Sequence, residues 1–339
     1  MIAARRHLVL FVGVCLVALA LPVAYMTRRA HSRTSLSYLD APIRTVPLDR
    51  LTPDQRGILF RSTRSDETFG HVVFLPSEAL DGPWYVSTLQ CDRVYFQGQR
   101  GVCLTEENAL LPPYAVSIFD DHFRTGPRKP LTGVPSRTRL SPDGRRAAFT
   151  VFESGHSYAE GGFSTRTTIV DTVSSAPIAD LEDFAVSRDG APFKAADFNF
   201  WGVTFAADGN RFYATLRTGG ANYLIEGDID RHAARVVRSG VECPSLSTDQ
   251  HQLAFKKRMD RSGVQWRVAI LDLASMRETV LESEERSVDD QVEWLDSNHV
   301  LYFESGEDGN NVWSLRTDRP ERPQILVRGG YSPAVLRWN

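Results

Sequence analysis

Four segments of this chain share one layout: an apolar residue, a tight turn, and then a β-rich strand. They are RLSPDGRRAAFT from Arg139, TFAADGNRFYAT from Thr204, SLSTDQHQLAFK from Ser245 and EWLDSNHVLYFE from Glu293. Leu140, Phe205, Leu246 and Trp294 precede the four turns. In the first turn Pro142 presets φ, Asp143 can bond its own turn backbone, and Gly144 takes a positive φ at little cost. The turns begin at 141, 206, 247 and 295, at spacings of 65, 41 and 48. A period of about 40–50 residues carrying four short strands marks the blades of a β-propeller.

The segments between the turns complete the units. Third strands read TTIVDT, YLIEGDID, VAILDLAS and NVWSLRTD; outer strands read PIADL, ARVVRS, ETVLES and QILVRG. Four blades are predicted over 134–183, 197–240, 241–285 and 286–330. Upstream, RVYFQ, GVCLTE, AVSIFDD and KPLTG make a fifth. GILFRST, HVVFLPS and WYVSTL supply three strands of a sixth, and Tyr331 to Trp338 is expected to add its inner strand. Closing a ring this way leaves no open inner edge. The fold class is therefore all-β, a six-bladed propeller over 47–339, and one propeller of this length is a single domain.

The N-terminus is different in kind. Leu8 to Met26 carries no charge, and nineteen helical residues would span about 28 Å, close to a hydrocarbon core. Arg5 and Arg6 precede it, and Arg28, Arg29 and Arg33 follow it. Two readings stand: a signal anchor, or a signal peptide cut near Ala18-Leu19-Ala20. The expected organisation is a short cytoplasmic end (1–7), a transmembrane helix or signal peptide (8–26), a polar linker (27–46) and an extracytoplasmic propeller. The protein would be held at the cytoplasmic membrane, or secreted if cut. The net charge is −3, yet the first 33 residues hold five arginines and no acid, so the remainder is distinctly acidic. That excludes nucleic acid as the main partner, because phosphate binding needs a basic face.

Of the four cysteines, Cys15 lies in the apolar segment and Cys243 reads as a small buried hydrophobe. Cys91 and Cys103 flank the hairpin CDRVYFQGQRGVC and could be bridged in an oxidising compartment. They are symmetric about Gln97 while the glycines put the turn slightly later, so a bridge needs a bulge or a diagonal contact.

LSPDGRRAAF resembles the PD40-type (WD40-like) repeat of TolB-like propellers, and VAILDLAS and NVWSLRTD resemble its third strand. The resemblance covers roughly residues 50–339 and extends to membrane-anchored TolB-like proteins of actinobacteria. It implies a six-bladed ring used for binding. TolB itself carries an α/β domain before its propeller, for which there is no room ahead of residue 50, so its role in outer-membrane maintenance is not implied.

No HExxH, GxSxG, P-loop, dinucleotide fingerprint or CxxC occurs. The histidines at 71, 122, 156, 232, 251 and 299 do not pair at metal-ligand spacing. SRDG at 187–190 is similar to the sialidase Asp-box but lacks its aromatic, and reads as a plain turn. No catalytic residue, metal or cofactor is expected. Position says more than motif. Ser136, Trp201, Glu242 and Asp290 each lie five residues before a turn, with Arg137, Asn199, Phe200, Asp289 and Gln291 beside them. The fold would gather these around one funnel mouth, as a mixed aromatic and acidic rim for an envelope protein, a peptide or a cell-wall fragment. The competing reading for each residue is packing between blades or pairing with an arginine. Two acids from different blades could instead form the acid/base pair of a glycan- or peptide-acting hydrolase or lyase. The propeller is expected to be monomeric.

Overall fold

A computed structural model describes residues 43–50, 55–106, 113–155, 162–259, 265–306 and 309–336. Within them six sheets are arranged as blades around one axis. Blade II holds Arg93–Gln97, Arg100–Glu106, Tyr114–Asp120 and Lys129–Leu131; blade III holds Val134–Leu140, Arg146–Ser154, Ser164–Asp171 and Pro177–Asp180. Blade IV is built on Asn199–Phe205, Arg211–Thr218, Ala221–Asp228 and Ala233–Ser239. Blade V runs from Glu242–Leu246 to Glu278–Val280, and blade VI from Glu293–Trp294 to Gln324–Arg328. Each first strand touches the first strand of the next blade around the whole circle.

Blade I closes the circle. Gly330–Leu336 is its inner strand and pairs antiparallel with Gly57–Ser62, followed outward by His71–Pro76 and Trp84–Gln90. Thr45–Pro47 adds a parallel strand on the outer edge. The closing strand is thus the C-terminal one that the repeat pattern demands, and residues 337–339 lie outside the described residues.

Strands with two buried faces carry near-continuous apolar runs, such as Ile58-Leu59-Phe60 and Val72-Val73-Phe74-Leu75, all at most 1% exposed. They stack blade on blade. Ile58, Phe60, Val73 and Trp84 of blade I meet Leu301, Val312 and Val327 of blade VI across the closing seam. Close stacking also needs space: a Cβ on Gly101 would lie 1.9 Å from the Phe119 ring, so only glycine fits there.

The long 65-residue interval has a structural cause. After blade III the chain lays Ala185–Arg188 parallel on the outer edge of blade IV and turns back through Ala191–Pro192. Asp189 and Gly190, at φ 52° and 79°, make that turn, so SRDG is a hairpin tip. Cys91 and Cys103 are bridged with Cα atoms 5.4 Å apart. Cys103 stands opposite Val94 in the ladder, so the bridge is the diagonal contact that the spacing requires. It ties the start of blade II to that blade's second strand.

No helix among the described residues is long and apolar enough to cross a membrane. Leu8–Met26, the linker up to residue 42 and His156 lie outside the described residues.

Candidate functional site

The inner strands do not run as plain alternation. In blades I, IV and V two residues oppose one: Ser332 and Pro333 opposite Phe60, Gly202 and Val203 opposite Ala214, Cys243 and Pro244 opposite Phe255. The first residue of each pair has a positive φ, of 54° at Ser332, 65° at Gly202 and 47° at Cys243. Gly202 has a second constraint, since a Cβ there would stand 2.8 Å from the Cα of Cys243. Each bulge re-aims the side chains before it, and it divides the channel into a mouth and a waist.

The waist is closed by polar side chains from facing blades. Arg139 of blade III pairs with Glu293 of blade VI, both about 6% exposed. The Tyr95 hydroxyl of blade II donates to both Glu293 carboxylate oxygens at 3.2 Å, and the Arg139 guanidinium lies 4.7 Å over the Tyr95 ring. Arg139 also donates to the Val292 carbonyl at 2.5 Å and to Ser245 Oγ of blade V at 3.4 Å. Burial opposes the charge of Arg139, but Glu293 outweighs it and holds the guanidinium firmly protonated. Gln291 donates to the carbonyls of Val203 at 3.1 Å and Pro244 at 2.8 Å, so it bridges blades IV, V and VI.

Above the waist lies the mouth. Asp290 is 3% exposed; it accepts the Phe303 N–H at 3.1 Å and the Gln291 N–H at 2.9 Å, with Arg93 Nη1 at 3.7 Å. Arg93 lies 4.3 Å over the Tyr331 ring, which meets Phe303 edge-on at 4.4 Å. Asp289 is 43% exposed and takes the ammonium of Lys256, a residue with no exposed surface, and Arg137 Nη2 at 3.7 Å. Burial would raise the carboxyl of Asp289, but Lys256 and Arg137 hold it below the usual range. Glu242, 2% exposed, accepts from Asn222 Nδ2 and stands 4.0 Å from both Lys256 Nζ and Arg258 Nε. Nearby, burial pushes Glu304 up to about 7 against the pull of Arg286, helped by Glu284, Asp290 and Asp289.

The residues singled out from the sequence therefore divide. Arg137, Glu242, Asp289, Asp290 and Gln291 meet at the mouth or just beneath it. Asn199 is a latch: its Oδ1 accepts the Thr165 N–H at 2.8 Å and ties blade IV to blade III. Phe200 and Trp201 are not on the rim. Both are 0% exposed, Phe200 in the seam between blades III and IV, Trp201 against Phe152, Phe163 and Cys243. The bulge at Gly202 breaks the alternation on which a rim position for Trp201 depends. Sequence reasoning passed over Arg93, Tyr95, Arg139, Lys256 and Glu293. The signal for the first three was present as charged or phenolic residues two apart on an inner strand, Arg93 and Tyr95, Arg137 and Arg139. Among the described residues no group of three or more His, Cys, Asp or Glu side chains could hold a metal ion.

Six blades closed by a C-terminal inner strand, with Tyr95, Arg139 and Glu293 joined across the waist, define a closed propeller. The fold is that of the TolB-like propellers. TolB from Acinetobacter baumannii superposes with a TM-score of 0.56 at 17% identity, covering 83% of this chain and 66% of that one. This chain thus spans just under two thirds of that protein's length. A putative TolB from Agrobacterium tumefaciens gives 0.51 at 12% identity over 82% of this chain and 91% of that one. A chain of a nidogen/laminin complex gives 0.55 at 14% identity over 83% and 98%. No family model and no curated protein matches the sequence.

Proposed function

We propose that the chain is a non-enzymatic binding module that holds a peptide or protein segment at the channel mouth. One observation carries this reading: charged side chains from blades II, III, V and VI converge at the mouth, directly above a waist that Tyr95, Arg139 and Glu293 fill. A ligand would rest on that floor and would not pass through. The Tyr331–Phe303 pair adds an aromatic shelf on the blade I and VI side. One structural neighbour was solved as a nidogen/laminin complex, an assembly of proteins, which fits the reading. The disulfide fits an oxidising compartment, and with it a propeller outside the cytoplasm, tethered or exported through residues 8–26.

The test is crosslinking in living cells, then capture of the tagged full chain and mass spectrometry. The control is Arg93→Gln with Tyr331→Ala. One abundant partner, lost in this control while its circular dichroism stays native, supports the reading; undiminished capture overturns it.

A second reading rests on Glu304. A carboxyl raised to about 7 beside an ionised Asp289 is the split that a general acid and a general base require. It predicts that the protein cleaves glycan or peptide substrates and that Glu304→Gln abolishes the cleavage.

A further inference from the structure

The seams between blades are not equally filled. In the closing seam Phe60, Val73, Leu301 and Val312 keep no exposed surface. Between blades II and III the facing residues Val116, Ile118, Leu131, Phe149, Val151 and Val170 each keep 4–7%. They line a slot of about 220 Å³ that reaches the outer strands of the two blades. Its cause is the outer strand of blade II. Lys129–Leu131 has only three residues, and Pro130 at its centre has no N–H to give to the ladder. It pairs with Tyr114, Ala115 and Val116 and stops short of Ile118. The matching strand of blade IV, Ala233–Ser239, has seven residues. An apolar slot of this kind stays dry, and moving hydrocarbon into it from water is favourable.

The polar groups at its edge differ. On blade III the Thr168 hydroxyl donates to Asp180 Oδ1 at 2.5 Å, and Arg166 pairs with Glu153 at 2.6 Å and Asp180 at 3.2 Å. Those groups are engaged inside the protein. On blade II the Lys129 ammonium donates to the Ser175 carbonyl of blade III, and among the described residues it forms no ion pair with a carboxylate. The slot therefore offers hydrocarbon walls and one cation at the rim.

We propose that the slot between blades II and III binds an alkyl carboxylate, its single chain held between the two sheets and its carboxylate against Lys129. Benzene, with six carbons, occupies an apolar cavity of ~150 Å³, so a slot of this size takes about nine. One chain of that length fills it, which selects a free acid over a two-chain lipid. The site lies in the outer part of the ring, apart from the channel mouth, and does not depend on the binding reading above.

The experiment is isothermal titration calorimetry on the full chain with butanoate, hexanoate, octanoate and decanoate, and with octylamine and 1-octanol. Saturable binding of octanoate is expected. Affinity should rise about fourfold per methylene up to octanoate, the worth of each buried CH₂, and level off by decanoate. Octylamine should bind at least several-fold more weakly than octanoate. Lys129→Gln should weaken octanoate about 5-fold, as loss of a part-exposed ion pair does, and leave 1-octanol unchanged. Ile118→Trp fills the slot and should abolish binding of both; should that variant misfold, the chain-length series and Lys129→Gln decide. Arg93→Gln with Tyr331→Ala, at the mouth, should leave octanoate binding intact. The proposal is overturned by no saturable binding of octanoate, by an affinity that ignores chain length, or by equal binding of octylamine. Octanoate binding that survives Lys129→Gln undiminished, that persists in a folded Ile118→Trp chain, or that is lost in the mouth variant overturns it as well.

Discussion

At the waist of the channel an arginine, a glutamate and a tyrosine are buried together, and every charge has a partner. Two residues higher on the same inner strands, arginines and aspartates recur, but there part of the cluster faces water. Arg139 and Arg137 make the contrast on one strand. Arg139 is spent on Glu293, Val292 and Ser245, all inside the protein. Arg137 shares Asp289 with Lys256, and that carboxylate is 43% exposed. The lesson concerns completeness more than residue type. A buried charge whose bonds are all made inside specifies the fold, whereas a pair at a solvent edge is screened by water and constrains the fold less.

The comparison breaks most readily at the waist. Arg139→Met should cost about 3–5 kcal/mol in chemical denaturation, because Glu293 is left buried without its cation. Adding Glu293→Met should restore most of that loss; a double variant as unstable as the single one would mean that the ring needs the ion pair for its shape. Trp201→Ala should cost a similar ~3–5 kcal/mol, as removal of a fully buried aromatic does. Loss of less than about 1 kcal/mol would return Trp201 to the rim.

Opening the disulfide by Cys91→Ser with Cys103→Ser removes a closed loop and should cost about 3 kcal/mol, read against the non-reduced native chain. A third carboxylate sharpens the distinction between paired and unpaired burial. Glu182 sits outside the channel, and its oxygens accept the Thr167 N–H at 3.1 Å. Burial, against that bond, pushes it from its ordinary 4.5 up to about 8. Since the folded chain holds this proton more tightly than the unfolded one, its contribution is present at pH 4.5 and is lost as pH rises towards 8. Glu182→Gln should flatten the decline in stability across that window, and an unchanged profile would show that Glu182 titrates normally.

Much of the architecture could be read from the chain because turn chemistry and strand pattern repeat in phase. SPDG and its three degenerate copies place four inner hairpins, and the unpaired GILFRST demands a partner that the C-terminal strand supplies. What escaped was whatever departs from the repeat. Ala185–Arg188 joins blade IV by parallel pairing from outside its own unit, and no local pattern announces such a partner. The candidate site was legible by position only in part. Glu242, Asp289 and Asp290 reach the mouth, but Phe200 and Trp201 do not, because the bulge at Gly202 shifts the side-chain alternation. Cys243 and Ser332 take the same left-handed backbone without being glycine, so composition gave no sign of those bulges.

The pairing of Gly330–Leu336 with Gly57–Ser62 also has a consequence in time. A ribosome makes the second partner only after nearly the whole propeller has emerged. Throughout that interval the inner edge of Gly57–Ser62 is an open template with its hydrogen-bonding groups unmet. Any β-rich strand nearby competes for it, including the closing strand of a second nascent copy, and two rings that exchange those strands would be dimers locked by the contacts that complete one. Rapid capture of the final strand is therefore a requirement on how this protein is made, separate from how stable it is once closed.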